Sequence, residues 1–365
     1  MYKEQINDKE GICLLTLFVM GSSLIIGVGS SVKNDAWIAA IIGLLMFLPV
    51  MLIYSRIQAL LPGKNLFDIV NIAFGRIIGK IITLLYIWYA FHLGALVIRN
   101  FGEFVNTVSM PETPMIVTLL FLGTVCVYAV RMGLEVMGRI STYFIPIVIL
   151  IPVVVYILAI PQFNLCNLKP ILSEGFTPVL EAGFSVFAFP FAESFIFLGV
   201  FFSLKTKKSP YKVYFTGVMM AGIVLVFLTI RNIGILGNLL GHLNFPSHNA
   251  VSRVSVSEFL QRIEVSVAFV FVVCAFTKVS VCLYVACKGI SKLFNLNDYR
   301  SIVIQVGLLM IFFSYIIYQN IMEMTYWANN VYKYYAFPFQ VVFPVIIWLV
   351  IEIKVKKGRK GNKRI

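Results

Sequence analysis

Two ionisable residues stand where charge is expensive. Glu193 falls in the middle of an apolar stretch, next to Phe189-Pro190-Phe191, and Lys278 follows the charge-free run Val265–Thr277. Carboxylates and ammonium groups buried among apolar spans are costly and mark functional positions. Such groups suit proton-linked work or the polar gating of a pocket. Each also has a plainer role. Glu193 could hydrogen-bond backbone freed by a helix break, and Lys278 could pair with Glu193 or fill the place of a bound cation between two helices. Arg99 and Glu103 are four residues apart and share a helix face. They read as an intrahelical pair reaching toward the interface, and Arg231 is expected near the same outer boundary. Tyr86, Tyr89 and His92 lie on one stretch, either lining a cavity or serving as interior aromatics.

Other chemistry is missing from the pattern. His92, His242 and His248 are too scattered for a metal site, and the six cysteines contain no C-x-x-C pair, so neither a metal nor a disulfide framework is expected. There is no Walker A sequence, kinase signature, H-E-x-x-H or dinucleotide fingerprint. An enzyme, an ATP-driven motor and a bound cofactor are all unexpected.

The elements that must position Glu193 and Lys278 are membrane helices. Apolar residues make up 60% of the 365 and charged residues 13%, an imbalance a water-soluble domain of this size cannot bury. Runs of roughly 20 apolar residues, the length needed to cross a bilayer, recur along the chain. They are Gly11–Val32, Ala36–Ser55, about 81–105, Thr113–Val130, Ile140–Leu168 with its loop, about 182–204, 213–240 and 265–288, Ser301–Met322 and Tyr334–Ile351. Ten spans are predicted in a domain over 1–355, followed by a basic tail at 356–365. The polar start, Met1 to Glu10, leads into the first span without a small-residue cleavage site, so no cleaved signal is expected.

The net charge of +14 supports this topology. Of the 30 Lys and Arg residues, 22 fall on the segments that share a side with the N-terminus. Five fall on the other side (Lys33, Lys169, Arg253, Arg262 and Lys333) and three lie within spans. That bias places both termini in the cytoplasm. It assigns the excess charge, the basic tail included, to the membrane surface and anionic lipid rather than to nucleic acid. Between spans two and three, Asn65 with Asp68 three residues on reads as a helix cap. Ile69, Ile72, Ala73 and Ile77 follow it on one face of a short surface helix.

Span one contains Ile26-Gly27-Val28-Gly29-Ser30 and span six contains Phe189-Pro190-Phe191-Ala192-Glu193. Irregular backbone at membrane depth is tolerated only beside protein or a wet cavity. Paired interruptions in the opening helices of two five-helix halves point to a transporter-type site. Gly27–Gly29 would present N–H groups to a carboxylate, and the carbonyls of Phe189, Pro190 and Phe191 would face an amine. The small residues also fit simple helix packing, and Gly21-Ser22-Ser23 lies nearer the middle of span one.

Several segments together resemble the spore germination permease family. They are Gly27-Val28-Gly29, Pro111-Glu112-Thr113-Pro114, Arg131-Met132-Gly133-Leu134-Glu135-Val136-Met137-Gly138-Arg139, Phe189-Pro190-Phe191-Ala192-Glu193, Phe245-Pro246-Ser247 and Phe259-Leu260-Gln261-Arg262-Ile263-Glu264. Members of that family are the B-type subunits of nutrient germinant receptors and are similar to amino acid/polyamine/organocation transporters. The resemblance implies an all-α polytopic membrane protein with a 5+5 inverted repeat and broken helices one and six. It implies the spore inner membrane, partnership with an A-type membrane subunit and a C-type lipoprotein, and a pocket for a small nutrient, commonly an amino acid. On this reading Gly27, Val28, Gly29, Tyr89, Phe189, Pro190 and Phe191 bind ligand, and Glu193 and Lys278 gate or carry protons. The alternatives are a proton-coupled amino acid permease and a scaffold with an unused pocket.

Overall fold

The computed structural model describes residues 4–204, 206–254 and 263–361, and every regular element among them is helical. Among the described residues, nine helical segments are long and apolar enough to cross a bilayer. A tenth crossing precedes them. Span one runs Asp8–Met20, breaks, and resumes as Ser23–Ile26, so neither piece is long enough to cross alone. Spans two to five are Ala36–Leu60, Leu66–Val108, Met115–Met132 and Leu134–Leu158. Span six runs through Phe176–Val186, a wide turn at Phe187–Phe191 and a tight stretch at Ala192–Gly199. Spans seven to nine are Ser209–Leu236, Glu264–Leu293 and Val303–Ile316. Span ten is a near-continuous series from Ile321–Tyr326 to Phe343–Gly361. Each half has five crossings, an odd number, so the second half enters the membrane from the opposite face. That is the inverted repeat with broken helices one and six.

The breaks have local causes. Gly21 holds φ 22° and ψ −130°, a conformation that a Cβ disfavours. A Cβ there would also stand 2.6 Å from Cδ of Lys278 and 2.8 Å from the Phe18 carbonyl. In span six, Pro190 lacks an N–H and pushes its predecessor away from helix. Phe189 accordingly sits at φ −134° and ψ 115°. The main discontinuity of span one is therefore Gly21-Ser22, the glycine-serine pair nearer the helix middle. Gly27-Val28-Gly29 forms a second irregular stretch, where the chain turns into span two.

Burial separates centre from rim. In the most apolar windows of spans three and six, 78% and 83% of residues are buried, against 22% in span five. Lipid offers helices little hydrophobic drive to associate, so close contact depends on small residues. Where span two crosses span six, Gly43 faces Val186 and Gly183 faces Ile42. A Cβ on either glycine would come within 2.8 Å of its neighbour. Asn65 caps the expected surface helix by accepting from the Asp68 N–H at 2.9 Å. Gly75, at φ 75°, then turns that helix into span three.

Two placements differ from expectation. Span ten begins at Ile321 rather than Tyr334, because Asn320 caps a new helix start by accepting from the Glu323 N–H. Lys333 is thus inside span ten, 6% exposed and 2.7 Å from Glu181, and is not a loop residue. The Arg99–Glu103 pair forms, but both side chains are buried within the bundle instead of reaching out to water. Arg99 also donates to the Tyr315 carbonyl at 2.7 Å, which staples span three to the end of span nine. Arg231, near the end of span seven, is buried among protein as well, donating to Asn232 Oδ1 and to the Ser247 carbonyl. Lys205, Arg262, the Phe259–Arg262 part of the family-like motif and the tail beyond Gly361 lie outside the described residues.

Candidate functional site

Glu193 and Lys278 meet. The Lys278 ammonium donates to Glu193 Oε2, and both side chains are wholly buried. Tyr332 of span ten donates to the other carboxylate oxygen at 2.5 Å. Tyr89 of span three lies 2.7 Å from the Tyr332 hydroxyl. Gln340 of span ten donates its amide N–H groups to the Tyr89 hydroxyl at 3.0 Å and to the Ala188 carbonyl at 2.9 Å. These partners fix the direction of the chain. Tyr332 spends its proton on the carboxylate, so Tyr89 must donate to Tyr332, and Gln340 to Tyr89. From Gln340 through Tyr89 to Tyr332 the donors run toward Glu193, an arrangement that suits an ionised carboxylate and lets the bonds polarise one another. Tyr54 of span two closes the far side, donating to the Gln340 carbonyl at 2.5 Å.

Lys278 also occupies the break in span one. Its Cδ and Nζ lie against Gly21, and its ammonium sits 5.2 Å from the Phe18 ring and 5.0 Å from the Phe189 ring. The last carbonyls of Asp8–Met20 have no helical partners beyond the break, and this negative end of the half-helix favours a cation. Lys278 of span eight thus pairs with Glu193 and packs against the break in span one.

Two cavities adjoin the network. The larger, about 250 Å³, is bounded by Gly27, Val28 and Gly29 of span one, Val186 and Phe189 of span six, and Ala328, Asn329 and Lys333 of span ten. Glu174 and Glu181 add acid to its rim. The smaller, about 40 Å³, lies deeper. Ile26, Leu93, Leu96, Val97, Met324 and Trp327 make it largely apolar, with Asn100, Glu193 and Tyr332 as its polar lining. Ile26, Phe189 and Ala328 line both, so the Phe189 ring is part of the wall between them.

The expected site residues divide accordingly. Gly27, Val28, Gly29 and Phe189 line the larger cavity, and Phe189 and Glu193 the smaller. Tyr89 and Lys278 act on Glu193 through hydrogen bonds. Pro190 and Phe191 are buried behind the break, with Phe191 stacked on Phe47 at 6.3 Å. The Ala188 carbonyl already accepts from Gln340, and the Ala192 carbonyl lies 3.3 Å from the Tyr54 hydroxyl. His92 packs among Trp88, Phe313, Trp327 and Tyr335. Sequence reasoning passed over Tyr332, Gln340 and Tyr54. Gln340 carried the usable signal, since it is a lone amide inside the apolar run Tyr334–Ile351. No cluster of metal-ligating side chains occurs among the described residues.

Comparison with known proteins agrees with this architecture. The family profile described as "Spore germination protein" matches residues 5–322. Spore germination protein KB of Bacillus subtilis (strain 168) is 30% identical, over 99% of this chain and 98% of its own length. Putative spore germination protein YfkT of the same organism is 25% identical over 91% of each chain. Among solved structures, Mhp1, a nucleobase-cation-symport-1 family transporter, superimposes with a TM-score of 0.68 at 10% identity, covering 90% of this chain and 75% of its own. MhsT, solved in complex with L-phenylalanine, gives 0.66 at 12% identity over 97% of both chains. The resemblance to these two structures is one of fold alone. A multi-pass, transporter-like bundle, a family profile over most of the chain and a full-length relative agree: the chain belongs to the spore germination protein family.

Proposed function

We propose that this chain is the nutrient-sensing membrane subunit of a germinant receptor, and that it binds a small germinant, an amino acid in the first instance, in the cavity between spans one, six and ten. The observation that carries this reading is the cavity's position. It rests against the Gly27–Gly29 main chain and is separated by Phe189 from the recess that holds Glu193. A ligand there touches span one, span six and span ten at once. Binding can favour one arrangement of the bundle only through contacts that differ between arrangements, and this is where such contacts concentrate. The MhsT complex, on the same fold, is one in which a free amino acid is bound. In this reading the protein works in the spore inner membrane with both termini cytoplasmic. It passes its state to A-type and C-type partner subunits and catalyses no reaction of its own.

A proton-coupled amino acid permease is the second reading. The observation favouring it is Lys278 itself, a fixed ammonium at the carbonyl end of the span-one break, paired with a carboxylate that can take a proton.

The test uses the full chain in detergent and a panel of amino acids. A ligand at 100 times its dissociation constant stabilises by about 2.7 kcal/mol, a readable rise in melting temperature. Ala328 is exposed and lines both cavities, so Ala328→Trp fills them without disturbing the core. That variant is expected to keep its ligand-free melting temperature and lose the ligand-induced rise, and spores carrying it to stop responding to that nutrient. An undiminished rise in the variant overturns the site. Concentrative, pH-driven uptake into proteoliposomes would favour the permease over the sensor.

A further inference from the structure

A recess of about 400 Å³ shares no lining residue with the cavities above and lies beside Ile72, whose carbonyl accepts from Lys354. It is lined by Asn71 of the surface helix, Arg76, Lys80 and Thr83 of span three, and Lys292 of span eight. Arg76, Lys80 and Thr83 follow at helical spacing and share one side of span three. Lys292 pairs with Asp68 at 2.6 Å. Neither Arg76 nor Lys80 has a carboxylate partner among the described residues. Thr83 is 2% exposed, yet its hydroxyl has no hydrogen-bond partner. Its hydroxyl is therefore a donor left free for a further acceptor. The neighbouring stripe of span three, Ile77, Ile81, Leu84 and Trp88, is exposed and apolar.

We propose that this recess binds the phosphate of an anionic phospholipid headgroup. Arg76 and Lys80 supply the positive charge, and Arg76 can take two phosphate oxygens at once. Thr83 donates its orphan hydroxyl to a third oxygen, and Asn71 and the Lys292 ammonium close the rim. The acyl chains run along Ile77, Ile81 and Leu84. A headgroup seated there joins the surface helix, span three and span eight, and span eight is the helix that carries Lys278. Basic pockets between membrane helices are recurring headgroup sites.

The test uses the full-length protein in mixed micelles. Melting temperature is followed against rising dioleoylphosphatidylglycerol, with dioleoylphosphatidylcholine and inorganic phosphate as separate arms. Phosphatidylglycerol alone is expected to raise it. The exposed-residue double variant R76Q/K80Q is expected to melt like the parent in phosphatidylcholine. Its half-saturating phosphatidylglycerol content should rise about tenfold, since each basic residue near an anionic surface contributes several-fold. T83V is expected to show a smaller loss in the same direction, and K207Q/K208Q, on another basic loop, none. Equal shifts with both lipids, the same shift with inorganic phosphate alone, or an unchanged response in R76Q/K80Q would each overturn the proposal.

Discussion

Glu193 and Lys278 hold each other's charge with both side chains wholly buried, and removing one leaves the other uncompensated. Breaking a buried pair from one side costs about 3–5 kcal/mol, whereas replacing both partners by neutral groups of similar volume is often close to neutral. Glu193→Gln and Lys278→Met are therefore each expected to lower the melting temperature of the purified protein sharply. The double variant E193Q/K278M is expected to recover most of the loss, a coupling that a double-mutant cycle reads directly. A double variant that melts as low as the two single losses combined would show that the residues do not act as a pair. The two ends of this pair were legible in the sequence because ionisable residues inside apolar runs stand out against any background. Their supports were not. Tyr332 is one of 17 tyrosines, and nothing in its neighbours marks the one that donates to Glu193. Tyr54 is hidden the same way, and Tyr89, marked as a cavity or interior aromatic, carried no sign that it would reach Glu193 through Tyr332. Only packing turns span three toward span ten and selects them.

At the scale of elements, the crossings could be read because length and the absence of charge are what a bilayer demands. Their interruptions were harder to place. Hydropathy does not distinguish Gly21-Ser22 from Gly27-Val28-Gly29, and what decides is that Lys278, distant in sequence, needs the space beside Gly21. A similar long-range tie holds the segment ahead of span one. Glu4 accepts from Tyr299 at 2.6 Å and from Tyr284 at 2.9 Å, and meets Lys288 at 3.3 Å. Burial alone would raise its pKa, but these hydrogen bonds and the Lys288 charge outweigh burial and hold it below the ordinary 4.5. A carboxylate with a lowered folded-state pKa adds stability above its unfolded value and loses it as pH falls through the folded one. Glu4→Gln is thus expected to melt below the parent at neutral pH, with the gap closing as pH drops beneath about 4.5. Melting curves of both proteins across that range check it. A gap that stays constant through the acid limb would mean that the charge of Glu4 contributes nothing to the tie.

The whole molecule is asymmetric across the membrane. On one side of Glu193 lies the cavity with Gly27–Gly29 and Glu181 at its wall and rim. On the other side aromatic rings close the path. Phe197 packs edge-on against Phe18 at 5.1 Å and lies 4.8 Å from Phe201, which meets Tyr214 at 5.0 Å. The bundle is therefore open toward the face opposite Glu4 and shut toward the face that carries it. Cysteine labelling reads this directly. Cys166 is exposed, whereas the other five cysteines are buried, so Cys166→Ser gives a quiet background. In that background Ser185→Cys, on the wall of the larger cavity, is expected to react with a membrane-impermeant maleimide added to intact cells. Ser203→Cys, at a position 4% exposed beyond the aromatic plug, is expected to stay unlabelled until the protein is unfolded. A nutrient that settles in the cavity should slow labelling at Ser185→Cys without exposing Ser203→Cys. Should it instead expose the latter, the nutrient turns the bundle over toward the Glu4 face, as transport requires, and sensing alone would no longer describe what the chain does. If neither position reacts in the intact membrane, the cavity does not open to that side, and the asymmetry read from the packing is wrong.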